Sequence, residues 1–136
     1  SSSLSRTVCV ADASDAVEGL YYVDPTSNRV SGGKTYVYSS YGKDMFVEIF
    51  KNGDKYSVSD FIGGFYDQGR GYGSSYAMSG NMTVAADGTL TVVDSNIPGF
   101  SGSLESLTGK FDSATKTMAW SASWSCMVFN ISLIKK

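Results

Sequence analysis

Three features of the chain predict an all-β fold, an antiparallel up-and-down β-barrel, with a two-sheet β-sandwich as the alternative. Apolar residues recur with period two over residues 44–50, 117–125 and 127–134, as in strands that cover a single core with one face. Gly, Asn, Asp and Pro signals punctuate about eight or nine short runs at hairpin spacing. Helical periodicity is confined to residues 12–18 and 60–66. A meander of this length hides its edges by closing on itself, which favours the barrel.

Taken in order, residues 1–16 form a leader or the end of an interdomain linker, and residues 17–136 form one domain. The leader carries a β-type run at residues 7–10, and residues 12–18 suit a helical turn. Opening on Ser1-Ser2-Ser3 without Met, the chain suggests a trimmed start. A strand is expected over residues 19–23, ended by the turn formers Asp24, Pro25 and Asn28, then a turn at Gly32-Gly33 and a strand over residues 34–38. Residues 44–51 place Met45, Val47 and Ile49 on one face and Phe46, Glu48 and Phe50 on the other. Asn52-Gly53 is a strong hairpin signal and leads into residues 55–58.

Further strands are expected over residues 76–85 and 89–93, around a turn at Ala86-Asp87-Gly88. The run Asn96-Ile97-Pro98-Gly99 breaks the chain again. Strands at 104–111, 116–125 and 126–134 complete the set. In them Met118, Trp120, Ala122 and Trp124 share one face, and Met127, Phe129, Ile131 and Leu133 share another. Inward alternation makes the two tryptophans core residues. For Tyr36, Tyr38 and Tyr41, an exposed strand face and a ligand surface are both open.

Composition narrows the chemistry. Of 136 residues, 42% are hydrophobic and 18% charged, the net charge is −2, and histidine is absent. Catalytic triads that need histidine are thereby excluded, and the commonest metal ligand is missing. The carboxylates of Glu48, Asp60, Asp67 and Glu105 show no pairing in their spacing, so a two-carboxylate glycosidase finds no support. No enzyme activity, cofactor or metal is expected. Gly69-Arg70-Gly71-Tyr72-Gly73 lacks both GxGxxG spacing and a GK[ST] end, so it makes no phosphate loop. A single arginine among tyrosines, without a basic stripe, gives no nucleic-acid partner. Cys9 and Cys126 are too far apart for a CxxC motif, and one disulfide or two separate thiols are both open. A lipocalin-like barrel fits the strand pattern, although Gly19-Leu20-Tyr21 lacks the Trp of the lipocalin G-x-W opening.

Residues 60–76 are the most unusual stretch, with five glycines, five aromatics, Asp60, Asp67 and Arg70. Flexible linkers are glycine-rich but polar, so this stretch is expected to be an ordered, irregular corner. One role is a structural plug that closes a barrel end. The other is a ligand surface built from Tyr66, Asp67, Arg70, Tyr72 and Tyr76, where hydrogen-bonding tips sit beside flat apolar faces. Sugar rings, with C–H faces and hydroxyl rims, suit such a surface. On the structural role Arg70 caps carbonyls freed by the irregular backbone, with Asp60 or Asp67 as its partner.

The run D-F-I-G-G-F-Y-D-Q-G-R-G-Y-G, followed by Y-A-M-S-G, A-D-G-T-L and G-K-F-D-S-A-T-K-T-M-A-W, resembles the C-terminal β-barrel domain of Bacteroidetes surface lipoproteins encoded beside starch-utilisation-type glycan import systems. The likeness spans roughly residues 19–133 and is most specific at G-G-F-Y-x-x-G-R-G-Y-G. It implies export to the outer-membrane surface or periplasm, and membrane attachment only through a lipid anchor on a preceding segment absent from this sequence. It also implies a non-catalytic role near polysaccharide capture, with a glycan and outer-membrane glycan-import proteins as partners. A spacing or adhesion module without a small ligand and a binder of apolar ligands are the alternatives.

Overall fold

A computed structural model describes residues 15–136. The expected strand at residues 7–10, Cys9 and nearly all of the leader lie outside the described residues. Asp15 Oδ1 accepts the N–H groups of Val17 and Glu18 at 2.9 and 3.0 Å, a bend at the described end of the run 12–18 where a helical turn is expected.

Ten strands follow: β1 (Gly19–Val23), β2 (Asn28–Ser31), β3 (Lys34–Val37), β4 (Phe46–Asn52), β5 (Lys55–Val58), β6 (Ser79–Val84), β7 (Leu90–Asn96), β8 (Ser106–Asp112), β9 (Thr117–Trp124) and β10 (Met127–Lys135). All pairings are antiparallel, and the sheet curls into a barrel-like fold. The seam lies between β7 and β8, joined by the Thr89–Lys110 bridge and the bond from Phe111 N to Gly88 O at 2.8 Å.

The wall departs from a simple meander at its start. β10 pairs with β9 along one edge, while its other edge takes β2 at Met127–Asn130 and β1 at Leu133–Lys135. β1 and β2 thus form one interrupted strand position. The gap is bridged by Asp24 N on Ser132 O at 2.8 Å and by Ser132 N on the buried Ser27 Oγ at 3.0 Å, so the backbone groups of the turn stay satisfied. β4 lies beside β1 and β3 beside β2, which makes β2–β3 a flap extending the wall at one end.

Several boundaries shift from their expected places. β3 stops at Val37, and Tyr38 turns inward to begin a 3-10 turn (Tyr38–Tyr41), 1% exposed. An exposed face holds for Tyr36 alone of those three tyrosines. Tyr76 belongs to a second 3-10 turn (Ser74–Tyr76), so β6 is shorter than expected, while β7 runs on to Asn96. Period two cannot locate these ends, because turns with local hydrogen bonds tolerate the same residue types.

Inward alternation is realised where the sequence is most regular. Val47 and Ile49 on β4, Met118, Trp120 and Ala122 on β9, and Phe129, Ile131 and Leu133 on β10 all lie in the core. At about 25 cal/mol per Å² of apolar surface, each large side chain there contributes roughly 1.5–3 kcal/mol. These side chains occupy the barrel interior, as small barrels require.

The β9–β10 hairpin has a two-residue loop, Ser125-Cys126, with φ of 51° and 62°. Two positive φ angles match the twist of the flanking strands, yet neither residue is the glycine or asparagine such loops favour. A non-glycine residue held there costs about 1 kcal/mol. Under reducing conditions Cys126→Gly is therefore expected to raise the melting temperature by about 4 °C, measured by thermal circular dichroism. An unchanged or lower value would show that the loop is not strained.

Candidate functional site

The irregular stretch between β5 and β6 folds across one end of the barrel, and a single carboxylate anchors it. Asp60 is fully buried. Its Oδ1 accepts Ile62 N at 3.0 Å and Met78 N at 3.1 Å, and its Oδ2 accepts Gly64 N at 3.0 Å. The side chain thereby joins the first residues of the stretch to its last, next to the bond from Phe61 N to Met78 O at 2.8 Å. Burial pushes the Asp60 carboxyl up to about 7, the three N–H donors pull it down, and the charge of Asp67 adds to the rise.

Gly63 and Gly64 take φ of 67° and 84° in this buried turn, a region that side chains with a Cβ adopt at a cost. The chain then winds through a single wide π-turn (Phe65–Gly69), closed by Gly69 N on Gly64 O at 2.7 Å and Arg70 N on Phe65 O at 3.1 Å. Three side chains tie it to the wall. Gln68 imitates a strand neighbour, donating Nε2 to Phe46 O at 2.8 Å while its Oε1 accepts Phe46 N at 2.9 Å. Tyr38 Oη donates to Ile62 O at 2.6 Å, and Trp120 Nε1 donates to Phe61 O at 2.7 Å. The buried carbonyls of Phe61 and Ile62 are thereby paired, as burial demands.

This plug carries an aromatic cluster to the barrel mouth. Tyr66 sits at its centre, edge-on to Phe65, Phe100, Trp124 and Phe129 and stacked at 6.0 Å on Tyr72. Phe100, 44% exposed, packs edge-on to Tyr76 at 4.9 Å. Beside these rings lies an open cleft of about 440 Å³ whose floor is Tyr66, Phe100 and Trp124 and whose rim carries Arg29, Ser31 and Ser125. That volume falls within the range of small-ligand sites. Arg29, on β2, lies over the rings of Tyr36 (4.8 Å) and Phe65 (5.1 Å), with its Nε donating to Met127 Sδ at 3.1 Å. Arg70 lies over Phe65 at 5.0 Å and Tyr66 at 5.4 Å and donates Nε to Tyr41 Oη at 3.0 Å. That last bond raises the Arg70 guanidinium above its ordinary value. Burial raises the Tyr66 phenol, and the charges of Arg29 and Arg70 oppose the rise.

Of the five residues expected to form a ligand surface, Tyr66 is buried with its hydroxyl turned to Met127 Sδ at 3.7 Å. Its hydroxyl is therefore not a polar tip offered to a ligand. Tyr72 is 49% exposed, Tyr76 and Asp67 are half-buried, and Arg70 is exposed. Tyr66, Tyr72 and Tyr76 join one ring cluster with Arg70 over its edge. The expected pairing of Arg70 with Asp60 or Asp67 does not occur: among the described residues the ion pairs are Lys51–Asp15 and Lys55–Asp54. Backbone amides take up the Asp60 carboxyl, and Arg70 has Tyr41 Oη as its partner instead. Sequence reasoning missed Arg29 and Phe100. Arg29 lies in a four-residue strand hidden behind the Asp24–Asn28 turn signal, whereas Phe100, an aromatic just past Pro98-Gly99, carried a usable one.

A family model described as "-like, C-terminal domain" matches residues 11–135. No curated protein matches the chain. The crystal structure of the lipoprotein BT2262 from Bacteroides thetaiotaomicron aligns with a TM-score of 0.78 at 29% identity, covering 97% of this chain and 62% of that one. The chain therefore spans less than two thirds of that lipoprotein.

Asp60 gives a pH dependence with a definite sign. Its carboxyl rises from an ordinary 3.8 to about 7 in the folded chain. Between those values the folded state holds a proton that the unfolded state releases, so its contribution to stability is complete below 3.8 and is lost as pH rises through about 7. Asp60→Asn removes the titration and sets an amide N–H₂ against Gly64 N–H, costing about 1–3 kcal/mol. In paired thermal melts the variant should melt well below the parent at pH 4, with the gap narrowing toward pH 8. A gap that widens with pH would mean an ionised, stabilised Asp60.

Proposed function

The chain belongs to this C-terminal domain family, and from that premise we propose that it is a non-catalytic module of a cell-envelope lipoprotein that assists polysaccharide binding and uptake. The likeness to BT2262 supports a lipoprotein of the envelope. A place on the outer surface beside glycan-import proteins is part of the proposal. The observation that carries the glycan reading is the cleft floored by Phe100, Tyr66 and Trp124 with guanidinium and hydroxyl groups on its rim. Ring faces take up the C–H face of a pyranose, and rim donors meet its hydroxyls.

Burial of Phe65 and Tyr66, together with three side-chain tethers, favours a structural role for the plug itself. Binding then belongs to the exposed rings and the rim, not to the corner as a whole. In an immobilised glycan array followed by titration of tryptophan fluorescence, at least one polysaccharide should bind. Phe100→Ala should weaken it about tenfold, a change of about 1.4 kcal/mol, with the melting temperature nearly unchanged. A folded domain that binds no arrayed glycan would be a spacing module.

A further inference from the structure

Two guanidinium groups converge on the same pair of rings from different parts of the chain. Arg29 comes from the β2–β3 flap and Arg70 from the end of the π-turn, and their Cζ atoms lie 5.1 and 5.0 Å from the centroid of Phe65. Both also lie over Tyr66, at 5.9 and 5.4 Å. Each is fixed through Nε, by Met127 Sδ and Tyr41 Oη respectively. Each keeps Nη donors beyond that bond. Neither forms an ion pair with a described carboxylate, although Asp67 lies on the same plug.

Setting two like charges beside shared rings is unfavourable unless something of opposite charge offsets it. The rings recover part of the cost through cation–π attraction. They also pre-order both planar forks, so little side-chain entropy remains to be lost when a ligand arrives. The residual requirement is an anion beside an apolar platform. A neutral sugar would use the platform and the hydroxyls of Ser31 and Ser125, but would leave both charges uncompensated.

Resting on the glycan-binding reading of the cleft, we propose that Arg29 on its rim and Arg70 over the neighbouring Tyr66 ring select an acidic polysaccharide, whose carboxylates or sulfate esters accept from the two guanidinium groups while its sugar rings lie against the exposed aromatic cluster. Charge-assisted bidentate contacts of this kind discriminate strongly against a neutral analogue, which cannot supply the acceptor charge. The chain's net charge of −2 gives no general attraction to polyanions, so the preference resides in this cluster.

The test uses the whole chain and four polymers at low salt: polygalacturonate, dextran sulfate, neutral dextran and polyglutamate, with binding read by calorimetry. The expected result is binding of polygalacturonate or dextran sulfate, the tighter of the two telling carboxylate from sulfate, with little binding of the other two. Arg29→Gln and Arg70→Gln should each weaken it about tenfold while melting stays within a few degrees, and added salt should weaken the parent as well. Neutral dextran bound as tightly as the acidic glycans, or acidic-glycan binding indifferent to both substitutions, would overturn the acidic preference and leave glycan binding standing. Polyglutamate bound as tightly as either acidic glycan would overturn both, and no binding of any of the four polymers by the folded chain would overturn the acidic preference, with the glycan array deciding whether any glycan binds.

Discussion

Everything at the barrel mouth depends on the buried Asp60 carboxylate and the three backbone amides that point at it. A glycine-rich segment loses more conformational entropy on ordering than any other composition. Here most of that loss falls between residues 60 and 78, so a tie at the two ends is the most effective place for an anchor. The carboxylate supplies acceptors to three donors that an irregular turn would otherwise leave orphaned inside the protein. With the ends joined, the remaining chain needs only Gln68, Tyr38 and Trp120 to seat it.

The plug then determines where the rings go. Tyr66 lies edge-on to four neighbours and stacked on a fifth, so moving it would disturb both the core ring Phe129 and the cleft-floor ring Phe100. That shared packing holds the cleft floor on the same rigid body as the barrel. β10 contributes from the other side: its edge carries the β2 strand that delivers Arg29, and its first residue, Met127, offers the sulfur on which Arg29 and Tyr66 both donate. One charged group thus reaches the mouth through sheet register and the other through the plug.

How much was legible depended on whether the signal was periodic or local. β4, β9 and β10 were readable because apolar side chains alternate over seven or more residues in each, and only one face of such a strand can be buried. β2 was hidden because its four half-buried residues show no alternation and follow a strong turn signal. The corner was recognisable as ordered from its rings, but its hydrogen-bond scheme was not. Asp60 and Asp67 carry the same side chain on the same stretch. One is buried among amides and the other half-buried near the surface, a difference made by neighbours distant in sequence.

Composition and periodicity alone determined an antiparallel barrel-like architecture, the absence of histidine chemistry, tryptophans that face the core, and a corner too aromatic to be a linker. Those properties follow from side-chain type and spacing, which the chain carries with it before it folds. Only the tertiary structure decided that Tyr66 is buried with its hydroxyl on Met127 Sδ, that Arg70 has a tyrosine as its partner where an aspartate was expected, and that Arg29 lies over the same ring. The physical reason is that these contacts join residues about 30 to 100 positions apart. Their geometry is set by which strand edges meet, and no local pattern encodes that.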